Sequence, residues 1–441
     1  LSFEKLTHLS QTIRRRTMQG NLDKNDTIDL GEGDDTLRID VDGLSAGAFD
    51  LNVSNVENFR FDNTAANSGA INMDNLAVEI RFDGANGAAQ AATTGVVTLT
   101  DLAASIGSVD LIGIGSGTGG APSDNVAFNG IVFDYDVSGT TTVSELTVNI
   151  NNGGVVADDM FVQKLTADNT EAVAIVAADE LTITEIEGNK IKSVTVEANG
   201  EVIIGDIDGD VLETVSLELV AAGGAAVTIS DHAAALTVTG SAFNDVITMT
   251  DNTNTSAVTV DLGAGNDTYV SVDAADTITT GTGSDTITIQ GDAADDLNVI
   301  EDFTAGAGGD IIDLVTSVAS NGSTGTDMTL SRFDAGQDDL ALDSGITVFS
   351  GANAASLSTA NVAARLADTD GLAGGAIVSN DTETDELAYI LIDDGTDTGL
   401  FLITNDTGTT AILAAELTLL VTLTGVADAT TLTAANFADF L

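Results

Sequence analysis

Three strings of the form Gly-x-Gly-x-Asp-x-apolar limit what this chain can fold into: Gly31-Glu32-Gly33-Asp34-Asp35-Thr36-Leu37, Gly263-Ala264-Gly265-Asn266-Asp267-Thr268-Tyr269 and Gly281-Thr282-Gly283-Ser284-Asp285-Thr286-Ile287. Degenerate copies surround Asp26, Asp245 and Asp276. Asp26 and Asp35 are nine residues apart, and so are Asp267, Asp276 and Asp285 in succession. A nine-residue unit made of a short turn and a short strand, two units to a coil, stacks Asp267 directly on Asp285 and sends Asp276 to the opposite edge. Coils lie about 4.8 Å apart. Two bare carboxylates at that spacing repel by roughly 3–4 kcal/mol at an effective dielectric constant near 20. A calcium ion between them removes the conflict, because a hard divalent cation takes six to eight oxygen ligands and a glycine-rich turn exposes its carbonyls.

Elsewhere the chain alternates short apolar runs with Gly, Asn and Asp turns. Examples are Phe59-Arg60-Phe61, Val96-Val97-Thr98-Leu99, Val132-Phe133, Leu146 to Ile150, Leu181-Thr182-Ile183, Val194-Thr195-Val196, Val202-Ile203-Ile204 and Val215-Ser216-Leu217. Strands of three to five residues with a single proline, Pro122, favour stacked rungs over a sandwich, although the segment 85–140 leaves room for sandwich insertions. The predicted fold is all-β: an elongated parallel β-solenoid or β-roll with calcium-binding turns, a short helical N-terminal arm and a β-rich C-terminal domain. Residues 1–24 are the basic arm, 25–235 an irregular β-solenoid, 236–315 the calcium-binding β-roll and 316–441 the C-terminal domain. The arm holds five of the thirteen basic residues, and Phe3, Leu6, Leu9 and Ile13 follow helical spacing; it either anchors the protein or docks on the acidic body. In the last domain Ala360 to Leu366 predicts a short helix, and Tyr389 to Ile392 and Leu400 to Ile403 predict a hairpin around Asp393-Asp394-Gly395.

Charge and composition exclude several function classes. A net charge of −56 rules out nucleic acid as a partner through backbone electrostatics. The absence of cysteine rules out disulfides and thiolate metal sites. The longest apolar stretch, Ala411 to Leu423, is interrupted by Glu416 and predicts no transmembrane segment. The sequence opens on Leu1 with no Sec-type signal, as expected of a processed chain or a fragment. Only His8 and His232 could serve as imidazole ligands, and no His-Glu-x-x-His occurs. Gly43-Leu44-Ser45-Ala46-Gly47 matches a nucleophile-elbow string, but a strand pattern follows it where a helix is needed; Ser45 reads as a turn residue and His232 as a surface side chain. Gly113 to Gly120 lacks the Lys-Ser/Thr of a phosphate loop and reads as a loop. The chain is expected not to be an enzyme.

The Gly-Asp strings resemble the nonapeptide repeats of the repeats-in-toxin family, which form a parallel β-roll with calcium in its turns. The resemblance implies Ca2+ sites ligated or shaped by Gly31, Gly33, Asp35 and Asp26 in one cluster and by Gly263, Gly265, Asp267, Gly281, Gly283 and Asp285 in the other. Asn298 to Gly306 with Gly309 to Leu314 is similar to the segment that closes such rolls. Leu423 to Val426 and Asn436-Phe437 to Leu441 are similar to the uncleaved C-terminal signals of type I secreted proteins. Thr/Val/Asn-rich segments such as Val53 to Phe59, ahead of a roll and such a tail, resemble bacterial surface-layer proteins. That implies a secreted, extracellular structural protein that forms a homo-oligomeric lattice, held to cell-surface polysaccharide through residues 1–24. The alternative is a calcium-dependent adhesin or other surface-binding module.

Overall fold

The computed structural model describes all of residues 160–232 and most of 235–314, 354–367, 386–405 and 412–438, with single strands and a few adjoining residues elsewhere. The chain divides into two compact units, Leu1–Ala234 and Ala235–Leu441.

The first unit is a parallel β-solenoid. Successive strands alternate between two sheets, so each coil contributes one strand to each. One sheet runs Glu79–Asp83, Ser108–Ile112, Leu146–Asn151, Ala172–Ala177, Ser193–Ala198, Thr214–Leu219. The other runs Gly69–Asn72, Val97–Thr100, Ile131–Asp134, Met160–Asp168, Leu181–Glu187, Val202–Gly209, Ala225–His232. The strands described between residues 85 and 140 thus belong to the solenoid and not to an inserted sandwich. Met160, Leu181 and Val202 stack at intervals of 21 residues, as do Val173, Val194 and Val215. Inward-pointing Val, Ile and Leu are almost wholly buried in every described coil, each contributing about 1.5–3 kcal/mol.

Strands here run to nine residues, longer than the three to five the sequence suggests. In Leu181–Glu187 the buried positions are Leu181, Ile183 and Ile186, with Thr184 and Glu185 both facing out between them. The strand continues round a corner where the in–out parity slips, which an alternation pattern cannot follow. Similar irregularity carries His232 to an inward, 2% exposed position at the end of Ala225–His232, correcting its reading as a surface side chain. Within the arm, Arg15–Met18 is a strand parallel to Thr36–Asp40; Phe3, Leu6, Leu9 and Ile13, on which the helical spacing rests, precede it. Residues 1–14, Ser45 and the loop 113–120 lie outside the described residues.

In the second unit the coil between the two Gly-x-Gly-x-Asp turns tightens to 18 residues, Thr259 pairing with Thr277 and Thr268 with Thr286, while the coils on either side of it take 22 to 25. One sheet holds Leu236–Thr239, Val258–Asp261, Thr277–Thr279 and Asn298–Ile300, then Leu417–Leu423. The other holds Val246–Met249, Thr268–Val270, Thr286–Ile289 and Ile311–Leu314, and Phe437 bridges to Ile312. The hairpin is present: Glu386–Asp393 pairs antiparallel with Thr398–Asn405. The helix is Thr359–Leu366, capped by the Ser358 hydroxyl, which accepts from the Asn361 N–H. Its Val362 and Leu366 pack with Phe349, Ile390, Phe401 and Leu417.

A side chain near the end of the chain also pins it to the coil that ends in Ile311–Leu314. Asn436 is fully buried; its Nδ2 donates to the carbonyls of Asp310 (2.8 Å) and Gly306 (3.1 Å), and its Oδ1 accepts from the N–H of Gly306 (2.8 Å) and of Thr433 (3.0 Å). Leaving buried backbone groups unpaired costs about 1–3 kcal/mol each. Asn436→Ala is therefore expected to cost about 2–4 kcal/mol, measured as a lowered denaturation midpoint, whereas a change at exposed Leu413 should cost little.

Candidate metal-binding turns

The roll's two Gly-x-Gly-x-Asp turns lie one above the other. Gly263, Gly265, Gly281 and Gly283 have φ of 89°, 148°, 84° and 147°. Ala264 bridges to Thr282, the Gly265 N–H donates to the Thr282 carbonyl (2.9 Å) and the Thr282 N–H to the Gly263 carbonyl (3.1 Å). A side chain on Gly281 would overlap the carbonyl oxygen of Gly263, and one on Gly283 that of Gly265. The glycines are needed because the turns stack backbone on backbone.

Each turn ends in an aspartate whose side chain reaches to the previous coil. Asp267 Oδ1 accepts the Asp245 N–H (2.7 Å), Asp285 Oδ1 the Asp267 N–H (2.8 Å) and Asp310 Oδ1 the Asp285 N–H (3.1 Å). All four aspartates are buried. The ends of this column are satisfied by protein donors: Asp245 Oδ1 and Oδ2 accept from the Ser241 hydroxyl and N–H, and Asp310 Oδ2 accepts from the Thr304 N–H and the Thr280 hydroxyl. In the middle, Oδ2 of Asp267 and Oδ2 of Asp285 are buried without a hydrogen-bond donor.

Burial pushes the Asp267 carboxyl up to about 7, the Asp245 N–H opposing and the Asp245 and Asp285 carboxylates adding to the shift. Burial likewise pushes Asp285 up to about 6, the Asp267 N–H opposing and Asp310 and Asp302 adding. Buried oxygens without donors, in turns whose backbone is exposed by glycine, suit a hard cation with oxygen ligands.

The structure thus brings Gly263, Gly265, Asp267, Gly281, Gly283 and Asp285 onto one edge and places Asp276 on the other. Asp26, Gly31, Gly33 and Asp35 lie outside the described residues. The strands that follow them, Thr27–Asp29 and Thr36–Asp40, pair in different sheets, with Asn52–Ser54 and with Asn58–Asp62. Two column members stand outside the nine-residue register, at 22 and 25 residues from their neighbours in the ladder: Asp245, which the sequence marks as a degenerate copy, and Asp310, which it places only in the closing segment.

A second acidic group lies in the first unit. Carboxylate oxygens of Glu185, Glu187 and Asp208 fall within 4.8 Å of one another, as do those of Asp208, Asp210 and Asp231. Parallel register makes them neighbours, because Glu187 pairs with Asp208 and Asp208 with Asp231 on successive coils. Lys164 neutralises one end through Glu185 (2.9 Å) and Glu187 (2.6 Å). Burial would raise the Glu187 carboxyl, but hydrogen bonds from Lys164 and Thr166 prevail and lower it. Among the described residues no such cation is paired with Asp208; burial, then Asp206, Asp231, Asp210 and Glu187, hold its carboxyl above the usual range. These clusters can hold a metal ion. Acidic residues recurring at a 21-residue interval, as Glu187 and Asp208 do, are the sequence signal for the first group; the second joins Asp231 across a 23-residue coil.

Among the described residues no helix is long and apolar enough to cross a membrane. Comparison with protein-family models, with curated proteins and with solved structures finds no match to this chain.

Proposed function

We propose that this is a non-enzymatic structural protein of the bacterial surface-layer type, secreted by a type I route and assembling outside the cell into a calcium-dependent lattice. The observation that carries the reading is the stacked aspartate column, in which Oδ2 of Asp267 and of Asp285 is buried without a donor beside glycine turns. Calcium is the cation proposed. Extracellular calcium modules bind with dissociation constants near 10⁻⁴ to 10⁻³ M, and a site at tenfold excess adds about 1.4 kcal/mol to the folded state. Several such sites decide whether a chain of net charge −56 folds. Before export the chain stays extended by its own repulsion; outside, calcium folds it. Sheets built from repeated coils give the stiffness a lattice needs, and residues 1–24, with Lys5, Arg14, Arg15, Arg16 and Lys24, would attach it to cell-surface polysaccharide.

Electron microscopy of the purified chain in EGTA, and again after adding a few millimolar calcium, tests this. Ordered sheets or filaments appearing only with calcium are the expected result. Particles that compact with calcium but remain dispersed would favour the adhesin reading, in which the same solenoid presents a binding surface to a foreign glycan or host surface.

A further inference from the structure

The two edges of the roll dispose of their carboxylates differently. On the glycine edge four aspartates stack on successive coils, and the middle two each keep a buried Oδ2 without a donor. Among the described residues the opposite edge carries Asp276, which is 1% exposed, and the next coil places Asn298 at the corresponding position. Asp276 Oδ1 accepts the Val258 N–H (3.1 Å); its Oδ2 accepts the phenol of Tyr269 and the hydroxyl of Ser271, both at 2.8 Å. Asn298 Oδ1 accepts the Asp276 N–H (3.1 Å). A carboxylate holding three donors, with a neutral amide as its coil neighbour, has both its solvation and its repulsion already answered by protein groups.

Tyr269 is the residue that links the edges. It leaves the glycine turn as the inward residue of Thr268–Val270, is fully buried, and spans the core to place its O–H on Asp276. The corresponding positions on neighbouring coils are Ile247 and Ile287, which pair with it and carry no donor. A lone tyrosine in an isoleucine stack is explained by the single carboxylate it meets: a buried phenol needs a partner, and a buried carboxylate needs donors.

We propose that the roll loads divalent calcium between Asp267 and Asp285 on its glycine edge, and that Tyr269 and Ser271 satisfy Asp276 on the opposite edge by hydrogen bonds that require no cation. This rests on the calcium reading above. The test counts calcium bound to the full chain by equilibrium dialysis in the native protein, in the double variant Asp267→Asn/Asp285→Asn, in Asp276→Asn and in Tyr269→Phe. The double variant should bind fewer ions, while Asp276→Asn and Tyr269→Phe should bind as many as the native chain. Tyr269→Phe retains the Asp276 carboxylate and keeps the comparison valid if Asp276→Asn does not fold. Loss of an ion in Asp276→Asn or Tyr269→Phe would overturn the assignment at Asp276 and leave the calcium reading standing. An unchanged count in the double variant would overturn both.

Discussion

Replacing Gly283 with alanine is expected to unfold the roll of the second unit. The added Cβ would overlap the Gly265 carbonyl oxygen, and φ at this position is 147°, where side chains are disfavoured. Neither strain can relax alone, because the Gly265 N–H is itself bonded to the Thr282 carbonyl in the stacked turn. Overpacking and left-handed strain together put the cost at about 4 kcal/mol or more. Gly425 provides the control: its φ is 80°, but a Cβ there meets nothing within 4 Å. Gly425→Ala should cost only about 1–2 kcal/mol, the conformational part by itself. Denaturant unfolding of both variants in calcium checks this, and equal costs would show that stacking of the turns contributes nothing.

In calcium-free buffer the second unit should lose stability as pH rises from about 4 to about 7. The carboxyls of Asp267 and Asp285 sit at about 7 and about 6 against an ordinary value of 3.8. Between the ordinary and the raised values the folded chain keeps protons that the unfolded chain has released. Unfolding therefore releases protons, and stability falls with rising pH across that window. Below it both states are protonated; above it both are ionised, and the slope attributable to these two groups vanishes. A bound cation holds the carboxylates ionised, so calcium should raise stability most at neutral pH and least near pH 4. Melting temperatures against pH, with and without calcium, measure it. A calcium-free protein that gains stability between pH 4 and 7 would mean that the buried pair is ionised without a cation, removing the argument for one.

Much of this was legible in the sequence, for identifiable reasons. The nine-residue spacing of Asp267, Asp276 and Asp285 fixes two strands per coil and the alternation of edges, because a strand–turn unit of constant length returns to the same edge at every second step. Positive φ at Gly281 and Gly283 follows from the same string, and the hairpin around Asp393-Asp394-Gly395 from its turn residues. The 21-residue spacing of coils in the first unit is not legible in the sequence, because strands that turn corners, as at Thr184 and Glu185, break the simple alternation.

The sequence by itself determined that the chain stacks parallel coils and that aspartates recur on glycine turns, since both depend only on local spacing and backbone freedom. Which carboxylates find donors was decided by the tertiary structure alone. Asp276 meets Tyr269 across the core, while Oδ2 of Asp267 and of Asp285 meets no donor. Asp310 joins their column across a 25-residue interval, and Asn436 reaches it from the far end of the chain. Satisfaction of a buried charge depends on what packing brings within 3 Å of it, and residues distant in sequence supply that.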